Sequence, residues 1–351
     1  MSSSVDIAGR LIDTQHPPFV IAEMSGNHNQ SLDRAIELVK AAAAAGVDAL
    51  KLQTYTADTM TIDCDAPGFT VTDQDSAWYG RSLYDLYQEA HTPWDWHKPI
   101  IEQCHESGLI PISTPFDDSA VDFLERLDFP AYKVASFENT DIPLLQRIAA
   151  TGKPMIISTG MMSRMELSET VEEVRAAGCN EIILLKCTSS YPASAADANL
   201  ATIPDMRALF EAEVGISDHT LGIGVSIAAV AMGATVIEKH FTQDRTDGGV
   251  DSQFSMEPQE MRSLVIESRS AWTGLGQVRY GVGAAEANSQ VFRRSLYFVR
   301  NIRAGETIQE SHIKRIRPGY GLAPKYETQV IGKTVSHDIE RGTPVTWESL
   351  N

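Results

Sequence analysis

The stretch VIEKHF, residues 236–241, begins with two β-branched residues, as a strand buried on both faces does, and then sets Glu238, Lys239 and His240 side by side. A strand that merely reaches water can end this way. A second run, EVGISDHTLG (213–222), argues otherwise: it ends in Ser217, Asp218 and His219 and leads into a Gly-rich helical stretch. The two histidines are one strand-plus-helix unit apart. In a parallel barrel or doubly wound sheet that spacing puts both at the carboxyl ends of neighbouring strands, where such folds carry their chemistry.

Working outward, the same pattern recurs along the chain. FVIAE (19–23) is followed by SLDRAIELVKAAAAAG (31–46), a helical period with Ser31 as N-cap and Gly46 as the stop. DALKLQ (48–53), LIPIST (109–114), AYKVAS (131–136), PMIIST (154–159), EIILLKC (181–187), EVGISD (213–218) and TVIEKH (235–240) each lead to a helix-like segment. Strands alternating with helices enforce a parallel sheet with right-handed crossovers, so the pattern predicts an α/β fold of the (β/α)8, TIM-barrel kind. A polar start precedes FVIAE. The long insertion from Thr54 to about Thr92 carries Trp78, Tyr79, Tyr84 and Tyr87 and reads as a partly ordered lid over the barrel mouth.

From about Gly274 the texture changes to GLGQVRYGVGAAEANSQ, a linker. Beyond it, SLYFVRNIRAGETI and DIERGTPVTWESL have the short strands and Gly turns of a small β-rich module. IRAGET and IERGTP suggest an internal duplication. The expected domains are a barrel over 1–275, a linker over 276–291 and the small module over 292–351.

A formal charge of −18 argues against a nucleic-acid groove, which is built on surplus Lys and Arg. An anionic substrate would need a local basic pocket. No apolar run approaches the roughly 20 residues of a membrane span, and no cationic segment precedes an apolar one at the start, so the expectation is a cytoplasmic protein without a membrane partner. Cys64, Cys104, Cys179 and Cys187 have no CxxC spacing and read as small buried residues.

If the eight runs are barrel strands, their last residues form one ring. It contains Glu23, Lys51, Gln53, Ser113, Thr114, Lys133, Ser136, Ser158, Thr159, Lys186, Thr188, Ser217, Asp218, His219, Lys239 and His240, far more polar than strands buried on both faces require. Any one lysine here can be a solvated cap. Lys51 and Lys133, inside their strands and beside hydroxyls, read together as a phosphate cradle. A lone histidine is most often a satisfied core or rim residue. As a pair on adjacent strand ends, with Glu23 and Asp251 available, His219 and His240 point to a divalent metal with open positions for substrate and water. Mixed N/O ligation without Cys favours Mn²⁺ over structural zinc, with Mg²⁺ or Co²⁺ as alternatives.

With these residues in view, the chain resembles the sialic acid synthase family over essentially its full length. The stretches that carry the resemblance are AEMSGNHNQSLDRA (22–35), LKLQTYTADTMT (50–61), WYGRSLYDLYQEAHTPWDWH (78–97), ISTPFD (112–117), ISTGM (157–161), KCTSSYP (186–192), SDHTLGIG (217–224), EKHFT (238–242), DGGVDSQFSMEP (247–258) and RPGYGLAPKY (317–326). The resemblance implies a barrel followed by an antifreeze-like (SAF) module, and a metal-dependent transferase that condenses phosphoenolpyruvate with a hexose to give a nine-carbon 2-keto acid and phosphate. It places Lys51, Thr114, Lys133, Ser136, Ser158, Ser189 and Ser217 on phosphoenolpyruvate, and His219 and His240 on the metal. Glu23, Gln53, Tyr191 and Asp251 fall on the sugar, and Glu138 at an acid/base position. It implies a domain-swapped homodimer in which Arg317 reaches the other subunit's site. The chain reads CTS where some relatives have CTN, and Val250 stands where proline is common. QTYTADTMT and the 78–94 insertion point within the family to 2,4-diacetamido-2,4,6-trideoxy-altrose as the sugar, with another N-acylated hexose as the alternative. A non-catalytic sugar-binding protein is the rival from another class, but binding alone needs no open metal site beside a phosphate cradle.

Overall fold

A computed structural model describes residues 4–74, 76 and 78–351. It forms two compact units, residues 1–276 and 277–351. In the first, β3 (Phe19–Glu23), β4 (Ala49–Thr54), β5 (Ile110–Pro115), β6 (Tyr132–Val134), β7 (Met155–Ser158), β8 (Ile182–Cys187), β9 (Glu213–Ser217) and β10 (Val236–His240) close a parallel barrel in chain order. Closure brings His240 beside Glu23 in the β10–β3 register.

The pleat sorts each strand. Phe19, Ile21, Ala49, Ile112, Ala131, Ile156, Ile183, Leu185 and Val236 fill the barrel interior. Their neighbours Val20, Ala22, Leu50, Leu52, Ile157, Leu184, Val214, Ile216 and Ile237 pack outward against the helices. Each such buried aliphatic side chain contributes roughly 1.5–3 kcal/mol. Gly215 is needed on β9 because a Cβ there would overlap Val236 on β10. Toward the carboxyl ends the inward positions turn polar, to Glu23, Lys51, Gln53, Lys133, Ser158, Ser217, Glu238 and His240, so alternation alone stacks a charged layer on an apolar plug.

The surrounding helices start and stop on local signals. In Leu32–Ala45 the Ser31 hydroxyl accepts from the Arg34 N–H and Gly46, at φ 89°, ends the helix. The start of the chain is not simply polar: β1 (Val5–Ile7) and β2 (Arg10–Ile12) form an antiparallel hairpin. Val5, Ile7 and Ile12 join the interior cluster and stopper its lower end.

The insertion after β4 is ordered around helices Ala57–Met60 and Leu83–Ala90. Asp75 and Ala77 within it lie outside the described residues. Among the described residues no helix is long and apolar enough to cross a membrane.

In the second unit β11 (Ser295–Phe298) pairs antiparallel with β12 (Ile313–Ile316) around a core of Leu296, Phe298, Ile302, Ile308, Ile313, Val330, Val335, Ile339 and Val345. The duplicated segments pair with each other: Ile302 and Ile339 exchange both backbone hydrogen bonds, at 2.9 and 2.8 Å. Gly305 and Gly342 take the same left-handed turn, at φ 80° and 92°.

Candidate active site

A cavity of about 300 Å³ opens at the carboxyl ends of the barrel strands. Lys51, Gln53, Lys133, Ser136, Glu138, Ser158, Tyr191, Ser217, His219, His240 and Asp251 line it together. Lys133 Nζ donates to Ser158 Oγ at 2.7 Å and to the Val134 carbonyl at 3.1 Å. Lys51 Nζ pairs with the Glu23 carboxylate and reaches Thr114 Oγ1 at 3.4 Å. Glu23 and Thr114 therefore sit just beneath the lining, acting on Lys51. Ser189 reaches the same rim from behind: a Cβ on Gly160 would overlap both Ser189 Oγ and Ser136 Oγ, so a bare glycine leaves room for two hydroxyls. Arg317 lies in the second unit, on the exposed segment after β12.

Four polar lining residues, Glu238, Ser25, Cys187 and Tyr55, are not among the sequence candidates. Glu238 sits on β10 two residues before His240, hence on the same face. Its Oε1 accepts from Ser217 Oγ at 3.0 Å and lies 3.6 Å from Lys133 Nζ, while Oε2 is 3.9 Å from Lys51 Nζ. Ser25, in the turn after β3, and Cys187, at the end of β8, line the cavity too. Conversely, several ring positions face outward. Lys239 Nζ donates to Asp218 Oδ2, the Thr220 carbonyl and the Gly222 carbonyl at 3.0, 2.7 and 3.0 Å, outside the barrel. Ser113 Oγ contacts Thr54 Oγ1 at 2.7 Å, and Lys186 Nζ donates to the Cys187 carbonyl at 3.0 Å.

Burial and charge set the protonation of this layer. Burial pushes the Glu138 carboxyl up to about 7, against Lys133, which draws it down. Its Oε2 has no hydrogen-bond partner among the described residues. Burial, with Glu238 nearby, raises Glu23. Burial opposes charge on Glu238, but Lys133 and Lys51 outweigh it and lower its pKa. Burial lowers Lys133. Two ammonium groups and their carboxylates are thus held ready for an anion that can replace the carboxylates as partner.

The two imidazoles face each other with ring centroids 5.3 Å apart, and Tyr191 lies 4.4 Å from the His219 ring. His219 Nδ1 is 3.0 Å from the Thr188 carbonyl, a contact that fixes the ring and leaves Nε2 for a ligand. Burial keeps His240 neutral, and its Nδ1 has no hydrogen-bond partner among the described residues. Asp251 Oδ2 lies 3.6 Å from it. Among the described residues no three His, Cys, Asp or Glu are arranged to hold an ion unaided. The donor set fits a divalent cation carried by two imidazoles, with its other positions left to substrate and water.

Much of the remaining lining is apolar: Met60, Val71, Trp78, Leu83, Leu86 and Tyr87 from the insertion, with Phe116 and Val250. Trp78 is pinned by donation from Nε1 to the Val250 carbonyl at 2.8 Å. Tyr79, read from sequence as part of this lid, is 55% exposed and does not line the cavity. Tyr84 instead donates its hydroxyl to Asp58 at 3.0 Å.

The NeuB family pattern matches residues 38–280, and the SAF domain pattern residues 293–351. The chain belongs to the NeuB family. This NeuB chain is 40% identical over 330 residues to the pseudaminic acid synthase of Campylobacter jejuni, covering 94% of this chain and 96% of that one. It is 37% identical over 341 residues to the N,N'-diacetyllegionaminic acid synthase of Legionella pneumophila, covering 95% and 94%. Among solved structures it superposes on the N-acetylneuraminic acid (sialic acid) synthetase of Leptospira borgpetersenii with a TM-score of 0.73 at 30% identity, covering 82% of this chain and 95% of that one.

Proposed function

We propose that this NeuB chain is a pseudaminic acid synthase, condensing phosphoenolpyruvate, 2,4-diacetamido-2,4,6-trideoxy-altrose and water to pseudaminic acid and phosphate. The observation that carries this reading is the mixed lining of the cavity: buried Lys51 and Lys133 among hydroxyls, together with Trp78, Leu83, Leu86 and Tyr87 from the insertion. The charged part suits a phosphate and a carboxylate. The apolar part suits the methyl and N-acetyl groups of a 6-deoxy sugar. Identity to the Campylobacter enzyme over nearly the whole chain supports the same sugar.

The enol methylene carbon attacks the aldehyde carbon of the open-chain sugar, and the aldehyde oxygen takes a proton to become a hydroxyl. Positive character develops at the enol carbon, water adds there, and phosphate leaves with C–O cleavage to give the ketone. Lys51, held from beneath by Thr114, and Lys133 offset the anionic charge of phosphoenolpyruvate, with Ser136, Ser158, Ser189 and Ser217 as hydroxyl donors. Glu138, which lines the cavity with its carboxyl pushed up to about 7 by burial and its Oε2 without a hydrogen-bond partner among the described residues, takes the proton of the attacking water. Glu23, whose carboxyl is raised by burial, serves the new hydroxyl. Gln53, Tyr191 and Asp251 orient the sugar. His219 and His240 would hold a divalent cation, Mn²⁺ in preference to Mg²⁺ or Co²⁺, which when bound supplies Lewis-acid polarisation of the aldehyde.

The enzyme works in the cytoplasm as a domain-swapped homodimer, with Arg317 completing the partner's site. Exposed Phe137, Met161, Met165 and Leu221, from the β6, β7 and β9 sides of the barrel mouth, give such a partner an apolar footing. Phosphate release with a panel of hexoses tests the substrate. Strong preference for the 6-deoxy diacetamido sugar is expected, together with a weaker preference in Trp78→Ala, since a methyl in an apolar pocket is worth roughly 1–3 kcal/mol. Equal turnover of N-acetylmannosamine by the wild type overturns the sugar assignment.

A further inference from the structure

Ser25, in the turn after β3, has a φ of +48°, the left-handed region that a residue with a Cβ rarely adopts. Of the described non-glycine residues with positive φ, Ser25 alone lines the active-site cavity. Glycine would make the same turn at no steric cost, so a serine here needs a reason in its side chain.

The contacts supply one. Ser25 lies between the two carboxylates assigned to the sugar: its N–H donates to Glu23 Oε1 at 3.1 Å and its hydroxyl donates to Asp251 Oδ2. The backbone of Asp251 is fixed without Ser25. Its N–H donates to Asn27 Oδ1 at 3.3 Å and its carbonyl accepts from Ser255 Oγ at 2.6 Å. Asn27 in turn donates to the Phe241 carbonyl and to Ser255 Oγ, both at 2.9 Å. The Asp251 carboxylate is less constrained. Besides Ser25 its near neighbour is His240 Nδ1 at 3.6 Å, beyond hydrogen-bond reach. The Ser25 hydroxyl is therefore what sets the direction of that carboxylate.

We propose that Ser25 is a positioning residue for the sugar: its hydroxyl aims Asp251, while its backbone N–H shares Glu23 Oε1 with Gln53 Nε2. The inference rests on the reading of Glu23 and Asp251 as sugar-facing groups. It makes the sugar half of the site depend on a strained turn, while the phosphoenolpyruvate half, on Lys51, Lys133 and their hydroxyls, does not touch Ser25's side chain.

Three variants test it: Ser25→Gly, Ser25→Ala and Asp251→Ala, each assayed for the KM of both substrates and for thermal midpoint. The sugar is whichever of 2,4-diacetamido-2,4,6-trideoxy-altrose and N-acetylmannosamine the wild type turns over. Ser25→Gly keeps the turn and the N–H and loses only the hydroxyl. It should melt no lower than wild type, raise the sugar KM about tenfold and leave the phosphoenolpyruvate KM unchanged. Ser25→Ala should match those kinetics with a lower midpoint. Added to Asp251→Ala, Ser25→Gly should change nothing further. A wild-type sugar KM in Ser25→Gly, while Asp251→Ala raises it, overturns the role of Ser25, as does an equal rise in both KM values. An unchanged sugar KM in Asp251→Ala removes the reading of Asp251 itself, and the inference with it.

Discussion

Glu238 Oε1 faces Lys133 Nζ across the barrel interior at 3.6 Å, from β10 to β6 on opposite sides of the strand ring. Both groups are almost wholly buried, and Lys51 approaches the same carboxylate from β4 at 3.9 Å. In the free enzyme Glu238 neutralises cations that phosphoenolpyruvate is proposed to meet. A buried charge left without its partner is costly, on the order of 3–5 kcal/mol.

Glu238→Gln should accordingly lower stability by about 3 kcal/mol at neutral pH, the lower end of that cost, because the amide keeps a hydrogen bond to Ser217. Phosphoenolpyruvate returns negative charge to the two lysines, so it should raise the thermal midpoint of the variant more than that of wild type. Thermal denaturation with and without phosphoenolpyruvate measures this. Equal shifts would remove Glu238 as counter-ion of the cradle.

Glu138 gives a pH signature. Its carboxyl is raised on folding from 4.5 to about 7 by burial. A carboxyl so raised favours the folded state when protonated, so its contribution is present below about pH 4.5 and lost as pH rises through about 7. Glu138→Gln stays neutral. Relative to wild type it should gain stability between pH 5 and pH 8, read from denaturation midpoints at the two values. As the base that activates water, Glu138 must be ionised: wild-type kcat/KM should fall with unit slope below pH about 7, and Glu138→Gln should be slower by about 10²–10⁴-fold with that inflection gone. An unchanged pH profile in the variant would reassign the water activation.

The barrel was legible because its strands are buried on both faces and turn polar only at one end, a pattern short enough to read in each of the eight runs. The site was legible in part. Lys51, Lys133, His219 and His240 announce themselves by type. Glu238 was missed although it lies two residues before His240, because the ring was read from the last residues of each strand without the period of two. That period also separates Lys239 and Asp218, which pair outside the barrel at 3.0 Å, from the groups that line the cavity. Ser25 and Asp251 come together across 226 positions of sequence, and neither helix nor strand periodicity carries that information. The N-terminal hairpin was missed because each strand has only three residues, and its Ala8–Gly9 turn lacks the Asn-Gly signal. Tyr79 was assigned to the lid on its aromatic type alone, and its side chain faces outward.

The proposed dimer carries its own test. If Arg317 completes the partner's site, Arg317→Ala and His240→Ala proteins are each inactive alone, but mixed dimers contain one site with both residues intact. Subunit exchange between the two should restore activity toward a quarter to a half of wild type, in proportion to the mixed dimer formed. No recovery in demonstrably mixed dimers would place Arg317 outside the active site.

In the proposed reaction the C–O bond of phosphoenolpyruvate breaks after water adds to the enol carbon. Phosphoenolpyruvate with ¹⁸O in the bridging position, incubated with the enzyme, Mn²⁺ and 2,4-diacetamido-2,4,6-trideoxy-altrose, reports that bond directly by mass spectrometry of both products. The label is expected in the released phosphate, with solvent oxygen at the keto carbon of the nine-carbon acid. Label retained in the acid, with unlabelled phosphate, would mean P–O cleavage and overturn this mechanism.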